Sequence, residues 1–509
     1  MTKKNTLEGI QFPVTGDGKR STTAVGKAII QTALAAAGSE GVQAVAEERD
    51  WRHRYPRHLR KLSEVSLRDG ETALATARAG LAAAWGRLVF MREGEGVPLA
   101  AAMAEPATEA WHTVTVAGEG GGDIRPWGLP YEGDFLQGDK LRRQIDKWEE
   151  ESIIEPSHGE ALRRVLAHPE WFDLSDRTVV LLGAGSEAGP LKWLAGWRAN
   201  VVALDLPRPG VWEKIVGVVR GGNGRLLAPV SQPVAADAEP ESWFDLAGAD
   251  LLTQTPEIGQ WLSTLDADLD MAAIAYLDGE RHMRVSVAMD AIMSKVSETK
   301  PASSLMYMAT PTDVFAVHEE TARMAMAHYE SRHVLRKAAA LPLQGVSGGR
   351  LLQPHVTELI TSANGKKYGL VDCLVIEQGP NYALAKRLQQ WRAVVARAEG
   401  QRVSLNVAPS TTTQSVIKNR ALKAGFDGAS MYGVEVFAPE TTNALMAAMW
   451  VHDLRYDGGA SNPETVLDHP LELLMEGANH GGLWRAGYLP RTALPLAAVV
   501  GFVKGSLGG

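Results

Sequence analysis

Residues 178–205 read TVVLLGAGSEAGPLKWLAGWRANVVALD, and no other stretch limits the fold of this chain so strongly. Thr178–Leu182 is a short apolar run rich in β-branched residues, as a parallel strand buried on both faces requires. Residues 183–188 follow the pattern G-x-G-x-x-A. Glycines at 183 and 185 permit a sharp turn and a close backbone approach, and Ala188 permits tight helix packing. Leu191, Leu194 and Trp197 then recur at helical spacing, and a second apolar run at 201–204 delivers Asp205. Strand, turn, helix, strand and terminal acid are the parts of a dinucleotide site, in which a helix N-terminus faces phosphates and the acid faces a ribose diol. On this reading Gly183, Gly185, Ser186, Ala188, Gly189 and Asp205 bind the cofactor. Glu187 is the discordant residue, a negative charge inside a phosphate loop, and its side chain must then point to solvent.

A chain of 509 residues accommodates two or three domains. The net charge of −8 gives no general attraction to nucleic acid or to an anionic membrane. The single cysteine, Cys373, excludes an intrachain disulfide. No apolar run reaches the length of a membrane span, so the expectation is a soluble cytoplasmic protein.

Residues 1–150 read as a mainly helical region. A basic and aromatic cluster at 51–61 suits a solvated helix face better than an anion site, and the glycine-rich stretch 118–130 suits a linker or lid. Residues 151–460 alternate as a doubly wound α/β domain requires. Further strands are expected at Arg225–Val230, 249–253, Ser304–Ala309 and 402–407, with a long helix at 271–296. Asp237 follows the third strand as an exposed loop acid. An insertion spans about 314–375. It reads as a helix over 314–337 carrying His318, His328 and His333, whose spacing does not suit one metal site, and then a hairpin turning at Asn364-Gly365. Residues 461–509 form a loop-rich extension in which the glycine-rich loop 479–485 suits a structural turn better than a closure of His480 and Arg485 over a substrate.

Tyr382 and Lys386 stand four residues apart on one helical face, and the apolar stripe Leu384, Leu388, Trp391, Val395 occupies another. The following strand ends in Asn406-Val-Ala-Pro409, with Ser410 and threonines 411–413 next. Together with the glycine turn and Asp205, this order resembles the short-chain dehydrogenase/reductase family over about residues 176–455. The resemblance implies a parallel Rossmann sheet and NAD(P)-dependent interconversion of a hydroxyl and a carbonyl. It implies Tyr382 as acid/base, Lys386 as its modulator, and Pro409, Ser410 and Thr413 as cofactor contacts. A free tyrosine has a pKa of about 10, and a neighbouring ammonium lowers it. The family's serine position falls near Gly369, so the hydroxyl at the end of the fifth strand, Thr310, is expected to replace it. The family's helix asparagine has no match beyond His282 or Ser286.

Asp205 favours NAD(H), with NADP(H) admitted through Arg208. The substrate class is a small-molecule or carrier-bound (3-oxoacyl-type) carbonyl, and a homo-oligomer is left open. Two other readings use the same glycine turn and acid: an S-adenosylmethionine-dependent methyltransferase and a non-catalytic nucleotide-binding domain.

Overall fold

The apolar runs pair side by side at the centre of the molecule. The computed structural model describes residues 7–507 apart from 17, 107–110, 188, 236–237, 332–349 and 419. Seven strands form its main sheet: β1 (His112–Ala117), β2 (Thr178–Leu182), β3 (Asn200–Leu204), β4 (Arg225–Val230), β5 (Asp270–Ala273), β6 (Ser304–Ala309) and β7 (Val403–Val407). Their spatial order is β7-β6-β5-β2-β3-β4-β1. All neighbours are parallel except β1, which runs antiparallel to β4 along the edge.

Strand pleating explains why these segments are apolar throughout. Val180, Leu182, Val202 and Leu204 enter one core, and Val179, Leu181, Val201 and Ala203 enter another on the opposite face. Helices Glu280–Thr299 and Pro380–Ala398 contribute to the first core through Ile292 and Leu388. Helices Pro156–Ala167, Pro209–Arg220 and Pro439–Arg455 contribute to the second through Leu162, Ile215 and Met446. Each fully buried aliphatic side chain here contributes about 1.5–3 kcal/mol.

Several segments depart from the sequence expectation. Residues 249–253 are a turn, because the Asp250 carboxylate accepts from the Leu252 amide at 2.8 Å and its carbonyl accepts from Gln254. The strand in this place is instead β5, within the segment expected to begin a helix. Helical propensity at its Met and Ala residues yields to burial between β2 and β6, and the helix starts only at Glu280. Val314–His318 is a strand and not helix, antiparallel to Lys367–Asp372, while the helix runs over Glu319–Glu330. Leu359–Thr361 completes this second sheet around a turn at Gly365, whose φ is +80°. The extension after 461 includes an 18-residue helix, Pro490–Leu507.

Residues 118–130 form no lid over the sheet. Amides of Gly118, Glu119 and Gly120 donate to carbonyls of residues 220–224, so the segment prolongs the β1–β4 pairing. The N-terminal helices are built into the main core: Gly70–Arg87 lies against Pro380–Ala398, and a Cβ at Gly80 would run into the Trp391 ring. Among the described residues no helix is long and apolar enough to cross a membrane.

Candidate active site

Four segments meet beyond the C-terminal ends of the parallel strands, where open sheets leave a crevice. They are the glycine turn after β2, Asp205 after β3, residues 274–277 after β5 and residues 310–313 after β6.

The glycine turn is folded onto its own neighbours. Gly183 has a φ of +98°, and a Cβ there would lie 2.6 Å from Ala275 Cα, so only glycine fits. The amides of Gly183 and Ala184 donate to the Leu204 carbonyl at 2.9 and 3.0 Å. Those of Ser186 and Gly189 donate within the turn, to Gly183 and Ser186. The Gly185 amide donates to Asp205 Oδ2 at 2.8 Å, and Asp205 Oδ1 accepts from the Leu206 amide at 2.8 Å. Asp205 therefore latches the turn. The helix that follows is short, Leu191–Gly196, and starts well after the second glycine. Ala188 lies outside the described residues. The expected cradle of free amides at a helix N-terminus is absent from the described part of the turn. Asp205 still has lone pairs for a ribose diol. Arg208 precedes helix Pro209–Arg220 at its N-cap.

The second constellation is built on helix Pro380–Ala398, which Pro380 starts at its first position after Gly379. Arg387 Nη2 and Gln390 Nε2 each donate to the buried Asp313 carboxylate at 2.8 Å. Lys386 Nζ donates to the Met308 carbonyl and to Gln389 Oε1, both at 3.2 Å. These bonds fix the helix to the end of β6, and Tyr382 comes to rest beside Thr310. The neighbouring Thr310 hydroxyl opposes the upward push of burial on the phenol. The phenol's pKa is nonetheless pushed up to about 12. Thr310 Oγ1 lies 2.9 Å from Thr312 Oγ1, which accepts from Gln378 Nε2 at 2.6 Å. Because Gln378 supplies a proton to Thr312, the Thr312 hydroxyl is free to donate to Thr310, and Thr310 to the phenol oxygen. The phenolic hydrogen is then left for another acceptor.

Lys386 pairs with no carboxylate among the described residues, and burial brings its pKa down to about 8. Its charge acts on His282, whose pKa burial and the ammonium hold well below the ordinary value. The Tyr382 pKa is raised by burial and, more weakly, by Tyr276 and Asp313, and is lowered by Thr310; Lys386 is not among the causes. The neutral His282 ring stacks on Tyr382, centroids 5.0 Å apart, and the Tyr276 ring lies against both, 4.9 Å from His282 and 6.1 Å from Tyr382. His282 Nδ1 accepts from the Leu277 amide at 3.4 Å. His282 Nε2 and Ser286 Oγ, one helical turn apart, are buried without a partner in the structure.

Pro409, Ser410 and Thr413 leave β7 next to Thr310, since the Ala408 amide donates to the Ala309 carbonyl at 2.9 Å. Ser410 is buried and its carbonyl accepts from the Phe437 amide, while Thr413 opens the turn into Gln414–Lys418. These bonds tie the segment to residue 437 and not to the Tyr382 cluster. Thr312 and Gln378 were not singled out in the sequence; the pairing of Thr310 with Thr312 across one proline was the available signal.

The remaining polar motifs are structural. In the basic cluster, now helix Trp51–Ser66, Arg57 pairs with Glu48 and Lys61 with Glu40, while Arg52 and Tyr55 donate to carbonyls of 376 and 375 and brace the approach to Gly379. His480 and Arg485 are buried on Glu155, which accepts from both and from Thr321, so they do not close over the crevice. His318 pairs with Glu476 and His328 with the Arg485 carbonyl, whereas His333 and Asp237 lie outside the described residues. Compared with protein-family models and with curated proteins, the chain gives no match.

Proposed function

We propose that the chain is a nucleotide-dependent oxidoreductase of the short-chain type that interconverts a carbonyl and a hydroxyl, with Tyr382 as the proton donor. The strand order agrees with that of a Rossmann sheet: from β4 to β7 the parallel strands run 3-2-1-4-5-6 when counted along the chain. The observation that carries the reading is the meeting of Tyr382, Thr310, Lys386 and His282 at the crevice, beside residues 274–277 that also back the glycine turn. A bound nicotinamide cofactor supplies hydride.

The buried unpaired atoms His282 Nε2 and Ser286 Oγ fit a polar ligand near Lys386. Asp205 fits a ribose. A phenol with a pKa of about 12 stays protonated at neutral pH, so Tyr382 donates a proton to the oxygen of a carbonyl being reduced, and Thr310 holds the phenol by its own hydrogen bond. Lys386, with a pKa of about 8, holds a cationic hydrogen-bond donor beside this site.

A second reading rests on the inward-turned glycine loop. The amides that would receive a diphosphate are paired internally, and a phosphate-free nucleoside such as S-adenosylmethionine asks only for the ribose contact at Asp205. Thermal unfolding with NADH, NADPH and S-adenosylmethionine separates the two, because a ligand that binds only the folded state raises Tm. The oxidoreductase reading expects a saturable rise with a dinucleotide, larger for NADH. A rise with S-adenosylmethionine alone overturns it.

A further inference from the structure

A cavity of about 450 Å³ lies against the outer edge of β7, and none of its lining residues belongs to the Tyr382 cluster. Its volume suits a small organic molecule. Five carboxylates line it, Glu160, Asp453, Asp468, Glu472 and Glu476, against two permanent cations, Arg164 and Lys366, and His318, whose pKa its bond to Glu476 raises. Both cations are already neutralised, Arg164 by Glu160 and Lys366 by Asp468, so an anion entering the cavity would meet uncompensated negative charge.

The hydrogen-bond inventory has the same sign. Asn406 is 4% exposed and lines the cavity. Its Nδ2 donates to Ser404 Oγ at 3.2 Å and Asp453 Oδ2 at 2.8 Å, which fixes the orientation of the amide. Asn406 Oδ1 is thereby left as an acceptor with no donor among the described residues. Gly477 faces it, and a Cβ at that glycine would stand 2.7 Å from Oδ1, so the missing side chain keeps the oxygen accessible. Glu476 gives only Oε1 to His318, at 3.0 Å, and Oε2 has no partner among the described residues. Between these acceptors the walls are apolar, through Leu405, Met449 and Leu467, and Val466 stands at the rim with 90% of its surface exposed. The rim is itself held firmly: Arg397 donates to the carbonyls of Ala460, Asn462 and Thr465.

From the unpaired acceptors, the excess of carboxylates and the apolar walls, we infer that this cavity binds an alkylammonium ligand, a small molecule whose primary ammonium groups are joined by methylene chain. The ammonium donates to Asn406 Oδ1 and Glu476 Oε2, and the methylenes lie on Leu405, Met449 and Val466. This site is independent of the oxidoreductase reading.

Putrescine and spermidine are the probes, added to the full chain at constant ionic strength set with NaCl, with Tm and calorimetric titration as readouts. The expected result is a saturable rise in Tm, a tenfold or greater loss of affinity in Glu476→Gln, and unchanged affinity in Tyr382→Phe. Asp468→Asn, at the more exposed Lys366 pair, serves as a second variant and should weaken spermidine more than putrescine. No saturable response, an equal response to NaCl, a response to phosphate in place of the amines, or undiminished affinity in Glu476→Gln would each overturn the inference.

Discussion

The glycine turn at 183–189 and the cluster around Tyr382 sit on the same edge of the sheet, linked through residues 274–277, yet they treat their polar groups in opposite ways. In the turn, the amides of 183, 184, 185, 186 and 189 all have acceptors within the protein, and Asp205 closes the loop. In the cluster, among the described residues, Lys386 has no carboxylate partner and His282 Nε2 and Ser286 Oγ are buried without partners, and the phenol's pKa is raised to about 12. Buried polar groups are ordinarily satisfied, so the second region keeps polar capacity that the described residues do not meet, whereas in the first the amides are met and only spare lone pairs of Asp205 remain. A glycine motif specifies a backbone path; which of its polar groups are satisfied depends on the neighbours the fold brings.

Tyr382→Phe tests the open side of this contrast most directly. It removes only the transferring oxygen, and turnover with a carbonyl substrate and NADH should fall by about 10²–10⁴-fold while dinucleotide-induced stabilisation persists. Full activity in this variant would end the proposed role. Asp313→Ala comes next, because it leaves the Arg387 guanidinium buried and unpaired; denaturant unfolding should show a loss of about 3–5 kcal/mol. A loss below about 1 kcal/mol would mean that the ion pair does not anchor the Tyr382 helix.

Asp205→Ala probes the closed side. Removing a charged acceptor from the Gly185 and Leu206 amides should cost about 1.5–3 kcal/mol without any cofactor present, so the substitution acts on the loop before it acts on NAD against NADP choice. Unchanged stability of the ligand-free variant would show that Asp205 is no latch.

The last test is of pH. Folding lowers the Lys386 pKa from 10.5 to about 8, so between those values the unfolded chain binds more protons than the folded one. The burial penalty is fully present below about pH 8 and is relieved as pH rises towards about 10.5, making stability rise with pH in that window. Lys386→Met should flatten the rise in urea midpoints measured across it, and an identical slope would place the titration elsewhere.

Much of the architecture was legible. Apolar runs such as 178–182 and 304–309 are too uniformly buried-looking for any element but a parallel strand, and the i, i+4 placement of Tyr382 and Lys386 put both on one side of their helix. Residues 249–253 and 270–273 were read the wrong way round because propensity is local: Asp250 binding its own turn and Ala272 lying between two strands are facts of partners, not of composition. The Asn479 to Arg485 loop likewise presents a histidine and an arginine as if for a ligand, and Glu155, more than 300 residues away in sequence, absorbs both.

Residue order alone determined the strands at 178–182, 225–230 and 304–309, the glycine at 183 and the shared helical face of Tyr382 and Lys386, because those follow from side-chain periodicity and backbone sterics within a few residues. Tertiary structure alone decided which polar groups are left over. The Gly185 amide is paired because β3 brings Asp205 to it, and Asn406 Oδ1 has no donor among the described residues because Ser404 and Asp453 take the amide hydrogens and so orient the group, and Gly477 offers no side chain. Hydrogen-bond satisfaction is a property of neighbours in space, and the strands and helices that supply those neighbours come from distant parts of the chain.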